Sequence, residues 1–578
     1  MSKQVLLYSP TQHITVLLER HNHAKEGLLR TLNLSHTRPF ANMMVGKITA
    51  LALTALATQP VAAQTESPTL QPDSALYYKA LNGLENMYAG TDNPVALTYN
   101  RVQSVADAQA FARLTNGRFH DVDEGRKTQD FGASIYGLQR FGNLSLSGSF
   151  EYLNAQSFDT RWNNTLYVAE TNPFVLADAI ASDARTESFD LSAAASYRLG
   201  SRLTTALSLR YLTGSRSDQT DPRPKTNAMH FVIRPGMEFR FSPVHSLGIS
   251  GGIDLFRSDL SHAVVNNNQN YIYYVMKGMG DFVTRTSSDI GSYPRDYKGN
   301  RWQGSLQYVL TPSKGRVRNL VELSYTHNKE VAEDGGYAFT YKSGDYYRTD
   351  LSLYDRLSLR HSERFEQNFT VRLGYGTDSG DWYDQKKVVD TDHGNAVNYV
   401  VLNQSTISEG RYLTAGADYQ ADLLREGLPN LSFSLGAAFA HSETDQYYTR
   451  TFRQSYQTLR LHLGAVKHWR LGHLRLASEV GAAYQMLLGD ATYDAIVMKN
   501  NDISQSYVAP AFEYATASHA DLCAQADLAL PVTLYQHRTW LGLKVRAASS
   551  FYLGDNRYAD HLDGSTRTRV DAAFYVTF

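Results

Sequence analysis

The sequence predicts an all-β chain folded as a single transmembrane antiparallel β-barrel of about 18 strands, within a range of roughly 16–20, with short periplasmic turns and long extracellular loops. Three observations carry this. Segments of about 10–14 residues alternate apolar and polar side chains, the length a tilted membrane-crossing strand needs. Tight and long connections succeed one another in strict turn. The chain finishes on DAAFYVTF (Asp571–Phe578), in which Val570, Ala572, Phe574, Val576 and Phe578 share one side of a period-two pattern.

Composition agrees with a barrel and excludes other classes. The formal net charge of −1 gives no footprint for nucleic acid. The mean hydropathy of −0.38 resembles that of a soluble protein, but strands that alternate lipid-facing and water-facing residues average to such a value. The chain carries 38 Tyr against 24 Phe and 5 Trp, and tyrosine, with its apolar ring and polar tip, suits membrane interfaces and polar-ligand loops. The single cysteine, Cys523, excludes an internal disulfide framework and a multi-thiolate zinc site. It falls inside a strand pattern and reads as a small wall residue.

At the amino-terminal end, Met43–Gln64 holds Lys47, an apolar run from Ile48 to Ala57 and the small-residue site Val61-Ala62-Ala63. This is the pattern of a secretory signal peptide over 43–63, with an apolar run too short to span a bilayer as a helix. Residues 1–42 lack the composition of a signal and are expected to be a non-native or mis-assigned extension ahead of a true start at Met43 or Met44, the alternative being a genuine long amino-terminal extension. Residues 64–100 read as a periplasmic segment with one short helix. Asp73 or Ser74 is expected as its cap, and Tyr77, Leu81, Leu84 and Tyr88 lie at helical spacing. The segment is far smaller than the plug domain of an active transporter.

The barrel is expected over 101–578. In Leu203–Tyr211, Leu413–Ala421 and Leu474–Met486 one face is apolar and the other polar. Tight turns fall at Phe141-Gly142-Asn143, Gly200-Ser201, Ser242–His245, His361–Glu363 and Leu471–His473, and long connections at 154–186, 258–298, 378–409 and 487–517. Residues 102–124 hold either one strand or two. A soluble propeller or sandwich also alternates, but it needs no strict succession of tight and long connections, and no fixed-length repeat is present.

The terminal DAAFYVTF resembles the final-strand signal of outer-membrane proteins, in which Phe574, Val576 and Phe578 would be read by the barrel-assembly machinery. Together with the VAAQ cleavage context and the Tyr-rich strands and loops, over about residues 64–578, the chain resembles an uncharacterised outer-membrane barrel family of the Bacteroidota. That family is often encoded beside TonB-dependent receptors. The resemblance implies an outer-membrane location, the lipid bilayer and the assembly machinery as partners, and a TonB-dependent receptor as a further one. It supplies no catalytic or ligand residues.

With the apolar face on lipid, the lumen is expected to be lined by Arg234, Glu238, Arg240, Asp254, Glu322, Arg356, Arg372, Asp418, Asp422, Arg460, Glu479, Asp521, Asp527, Lys544 and Arg546. Both signs are mixed, which suits either a hydrated pore or a wall closed by ion pairs. The Tyr-, Asn- and Asp-rich stretches from Val265 (VNNNQNYIYYVMKGMGDF) and Asp381 (DWYDQKKVVDTDHGN) are candidate recognition surfaces or solvated loops. Asp390, Asp392 and His393 are a weak candidate for a cation site, because the glycine and distal glutamate of a calcium loop are missing. No GxSxG or other hydrolase arrangement occurs, so no enzymatic activity and no cofactor are expected. The expected function is a channel or uptake-accessory barrel for a small polar nutrient. The alternative is a closed-lumen scaffold or surface-binding barrel whose loops contact a ligand or partner receptor.

Overall fold

The computed structural model describes residues 73–578 apart from 267, 291–292, 313–315, 336–339, 391–395, 499–502, 535–536 and 563. The extension over 1–42 and the signal peptide over 43–63 lie outside the described residues. In chain order the strands are β1 (Ser104–Gly117), β2 (Lys127–Phe141), β3 (Leu144–Thr160), β4 (Leu176–Ala177), β5 (Ser182–Leu199), β6 (Leu203–Ser217) and β7 (Pro224–Arg240). They continue with β8 (His245–His262), β9 (Ile272–Gly278), β10 (Asp281–Thr286), β11 (Arg295–Leu310), β12 (Val317–Gly335), β13 (Thr340–Ser362) and β14 (Phe365–Asp390). The last are β15 (Ala396–Arg425), β16 (Leu428–Tyr447), β17 (Thr451–Leu471), β18 (Leu474–Leu487), β19 (His519–Leu534), β20 (His537–Tyr552) and β21 (Thr566–Thr577).

Eighteen of these form one antiparallel sheet in which neighbours in sequence are neighbours in space, and β4, β9 and β10 form a separate three-stranded sheet. β1 pairs with both β2 and β21, so the large sheet closes on itself and has no free edge. Residues 102–124 thus hold a single strand, β1. Closure leaves backbone donors and acceptors satisfied within the wall, which a bilayer requires.

Alternation places one face outside. Phe131, Leu207, Ile249, Trp302, Leu306, Leu323, Leu373, Leu435, Leu463, Leu522, Leu543 and Phe574 are all exposed large apolar residues on the outer wall. Their positions around the closed sheet make a lipid-facing belt, and Phe141, Tyr197, Phe241, Tyr308, Trp469 and Phe578 add exposed aromatics near the tight-turn rim. Among the described residues no helix is long and apolar enough to cross a membrane. The tight turns rest on backbone that favours glycine: Gly142 and Gly472 sit at φ 57° and 64°.

Two expectations about connections change. Most of the long connection at 378–409 is strand, because β14 and β15 stay paired up to Asp390 and Ala396. Above Asp381 and Ser408 neither strand pairs with a third strand among the described residues, so the hairpin leaves the sheet as a two-stranded ribbon, held at its base by Gln385 on the Lys342 backbone. The segment from Val265 is not simply a solvated loop. Residues Ile272–Thr286 form the β9–β10 hairpin, with Tyr273, Val275 and Met276 buried.

Candidate functional site: an occluded lumen

The tight-turn mouth is filled by residues 73–103. The helix α1 (Tyr78–Glu85) buries Tyr78, Leu81 and Leu84; of the residues expected on its apolar face, Leu81 and Leu84 lie within it, Tyr77 is its N-cap and Tyr88 falls in the turn that follows. Neither Asp73 nor Ser74 caps it, because the helix starts later, with Tyr77 at the N-cap position and no side-chain cap. Asp73 is drawn to the wall, where it pairs with Arg475 at 2.8 Å and Arg538 at 3.3 Å. The helix ends at two wall arginines. Arg318 donates to the carbonyls of Leu84 (3.2 Å) and Glu85 (3.0 Å), and Arg356 donates to those of Gly83, Leu84 (3.3 Å) and Asn86 (3.1 Å). Cationic donors there satisfy the carbonyls the helix leaves free and oppose the negative end of its dipole. Two 3-10 turns follow, Met87–Gly90 and Pro94–Tyr99, each begun by an asparagine side chain that accepts a backbone N–H. Met87, Tyr88 and Val95 pack against Val309 and Leu320 of the wall. Asn93 donates to Gln307 at 3.0 Å, Tyr99 donates to Glu238, and Arg240 donates to the Tyr99 hydroxyl at 2.9 Å. The segment expected as periplasmic therefore lies against the inner wall of the barrel mouth.

The opposite end is capped by loops. Residues 161–181 enter the barrel, where Phe174 is fully buried beside Trp382. Its carbonyl accepts from Arg295 at 3.1 Å and Tyr297 at 2.9 Å, while Glu330 accepts from the Ala169 N–H at 3.2 Å and Asn172 at 2.8 Å. Arg295 is fully buried and is fork-bonded to Asp334, which also accepts from Tyr293 at 2.6 Å. The β9–β10 hairpin packs over this insertion. The helix α2 (Ala509–Thr516) closes another quarter, with Phe512 against Tyr456, Tyr493 and Tyr558. In these loops burial, helped by neighbouring Asp123, pushes the Asp121 carboxyl up to about 7, and burial pushes Asp178 up to about 6.

Between the two closures the inner wall is polar. Arg210 forks onto Asp190 at 2.6–3.2 Å, Arg460 reaches Asp521 at 2.5 Å, Arg569 reaches Asp571 at 2.7 Å, and Arg372 pairs with Asp418. The Arg210, Arg372 and Arg569 side chains stay about half exposed although they face inward, so the belt is wet.

Each expected lumen charge lies on the inward side of the alternation. Glu238, Arg240 and Arg356 hold the amino-terminal segment. Glu322 accepts from Gln307 at 2.5 Å beneath it, and Asp422 accepts from Ser432 at 2.6 Å. Asp527 accepts from Tyr575 at 2.6 Å near the same mouth. Arg372, Asp418, Arg460 and Asp521 make the belt pairs above. Arg234 and Asp254 share a looser cluster with Arg301 at 3.9 Å. Glu479, Lys544 and Arg546 face the lumen without an ion pair among the described residues. Phe574 and Phe578 point outward and are exposed, and Val576 shares their side. Asp392 and His393 lie outside the described residues, as does the side chain of Asp390.

Arg295, Asp334, Arg318, Glu330, Asp190 and Tyr99 were not singled out by the alternation. For the strand residues the only sequence signal is polarity at an inward position, which does not distinguish a latch from a hydrated wall, and Tyr99 sits in a 3-10 turn outside any alternation.

The family model described as a family of unknown function, DUF6850, matches residues 94–578. The chain belongs to this family. The DUF6850 match begins at Pro94, so it takes in the second 3-10 turn with Tyr99 as well as the whole barrel. No curated protein matches the sequence. Among solved structures the chain is similar to BauA, the ferric preacinetobactin receptor of Acinetobacter baumannii, at 7% identity and TM-score 0.38 over 81% of this chain and 80% of that one. It is similar to the ferric yersiniabactin receptor FyuA of Yersinia pestis at 8% identity and TM-score 0.34, covering 82% and 80%. It is also similar to the RagAB peptide importer in its closed-closed state at 7% identity and TM-score 0.38, covering 82% and 86%. Likeness at this level carries no functional argument.

Proposed function

We propose that this protein is an outer-membrane channel for a small polar nutrient, gated from within by residues 73–103. The observation that carries the reading is how that segment is held. Arg318, Arg356, Glu238 and Arg240 hold it through hydrogen bonds that water can replace, around only small apolar clusters. Behind it lies a wet belt whose arginines and carboxylates nearly balance. Such a lumen favours neutral or zwitterionic polar solutes over ions of one sign. In this reading the bilayer and the barrel-assembly machinery are its partners, with Phe574, Val576 and Phe578 forming the signal, and a TonB-dependent receptor acts beside it.

The test uses the contact between the Thr98 and Ser196 hydroxyls, which joins the segment to β5. Replacing both by cysteine, with Cys523→Ala, creates a lock that oxidation closes and reduction opens. In planar bilayers the reduced protein should conduct in a gated manner, and the oxidised one should be silent. Equal conductance in both states would remove the gate, and silence in both would remove the channel.

A second reading rests on the ribbon of β14 and β15. Val388, Val389, Val400, Val401 and Leu402 are exposed on it beyond the barrel, an apolar surface of the kind that contacts a partner. Shortening the ribbon should leave conductance intact and reduce co-purification of such a partner.

A further inference from the structure

Asp254 on β8 is 4% exposed, and among the described residues its buried Oδ1 has no hydrogen-bond partner. Three donors surround the Oδ2 atom at one distance: Arg234, Arg301 and His230 each approach to 3.9 Å. That is about 1 Å too long for a direct bond and fits one interposed oxygen. Arg234 is likewise incomplete, since its Nε is buried with no partner. Gly252 lies where a Cβ would stand 3.2 Å from Arg234, so the glycine leaves room for the arginine to lie along the wall. A buried carboxylate oxygen and a buried guanidinium N–H without hydrogen bonds each carry a desolvation cost that a bound polar group would relieve, so the site favours being filled.

The missing group must donate to Asp254 and accept from Arg234 and Arg301. A hydroxyl does both, whereas an anion offers no donor to the carboxylate and an ammonium no acceptor to the guanidinium groups. Charge argues the same way. Asp92 of the amino-terminal segment is 3.5 Å from Arg234 and accepts from Gln303 at 2.9 Å, so two carboxylates face two guanidinium groups. Tyr167 from the loop cap lies beside His230 with ring centroids 6.0 Å apart, adding an aromatic wall. Arg301 is 45% exposed and opens the cluster to the wet belt.

We propose that Asp254, Arg234, Arg301 and Gln303 form a hydroxyl-binding subsite for a neutral polyhydroxylated solute, a sugar or polyol. The subsite rests on the channel reading and deepens it. A bound solute would touch the wall, Asp92 of the inner gate and Tyr167 of the loop cap together.

Saturation-transfer NMR on the refolded full chain in detergent micelles tests this, with sucrose and myo-inositol as probes and potassium phosphate as competitor. It is run in the wild type and in Arg356→Gln, whose loosened mouth removes access as an explanation for silence. Both probes should receive saturation. Asp254→Asn and Arg301→Gln, each verified as folded by heat-modifiable migration, should weaken binding by roughly tenfold or more. No transfer in either background, undiminished binding in both variants, or displacement by phosphate would overturn the subsite. An ordered water alone would appear as no transfer. A barrel that binds polyol through Asp254 but never conducts would sink the channel and keep the subsite. One that conducts without binding polyol would do the reverse.

Discussion

The backbone of Phe578 is bonded to that of Ala106: the Phe578 N–H donates to the Ala106 carbonyl at 2.8 Å, and the Ala106 N–H donates back at 3.4 Å. The last residue of the chain thus completes the seam between β21 and β1, while its ring points outward at the tight-turn rim. Deleting Phe578 removes both bonds and one rim aromatic. The expected outcome is slower and less complete assembly, read as a smaller heat-resistant fraction on electrophoresis, with unchanged conductance in the molecules that do fold. Normal insertion of the truncated chain would contradict this.

Arg356 serves the amino-terminal segment more than the wall. Arg356→Gln leaves the Gly83 and Asn86 carbonyls without their charged donor while Arg318 still holds those of Leu84 and Glu85, a loss of about 1.5–3 kcal/mol in docking. Amide exchange over 78–99 should accelerate, and exchange in β12 to β14 should stay slow. Uniform acceleration would make the arginine a wall residue instead.

Arg295 and Asp334 are both fully buried, so removing one strands the other. Arg295→Gln is expected to cost about 3–5 kcal/mol. Because Arg295 also holds the Phe174 carbonyl, the loss should appear first as protease cleavage within 161–181. Asp334→Asn should produce the same cleavage.

The loop cap should tighten in acid. The Asp121 and Asp178 carboxyls are raised in the folded state to about 7 and about 6 from a usual 3.8. The folded form therefore holds protons that the opened form releases. Cap stability from these groups is complete below about pH 4 and is lost as pH rises through 6 to 7. Loops 118–126 and 161–181 should resist protease better at pH 5 than at pH 8, and Asp121→Asn should flatten the dependence. Greater resistance at pH 8 would reverse the sign.

Much of the wall was legible because alternation is local. Leu413 and Asp418 declare their faces from neighbours within the same strand, and Gly142 or Gly472 declares a turn from its own backbone freedom. The ribbon of β14 and β15 was missed because Asp381–Asn395 is polar and turn-like, a composition that reads as loop until its partner strand is known. The burial of Tyr273 and Phe174 was missed for a related reason. Aromatics in a long connection look alike whether they are offered to solvent or folded back into a lumen.

Alternation along the chain was enough to predict a closed antiparallel wall and the strand that seals it. A period of two needs only nearest neighbours to be read. What fills the barrel follows from contacts between segments far apart in the chain. Tyr99 meets Glu238, Phe174 meets Arg295 and Asp92 meets Arg234 across more than a hundred residues of chain, and such contacts depend on barrel closure, which no local pattern records.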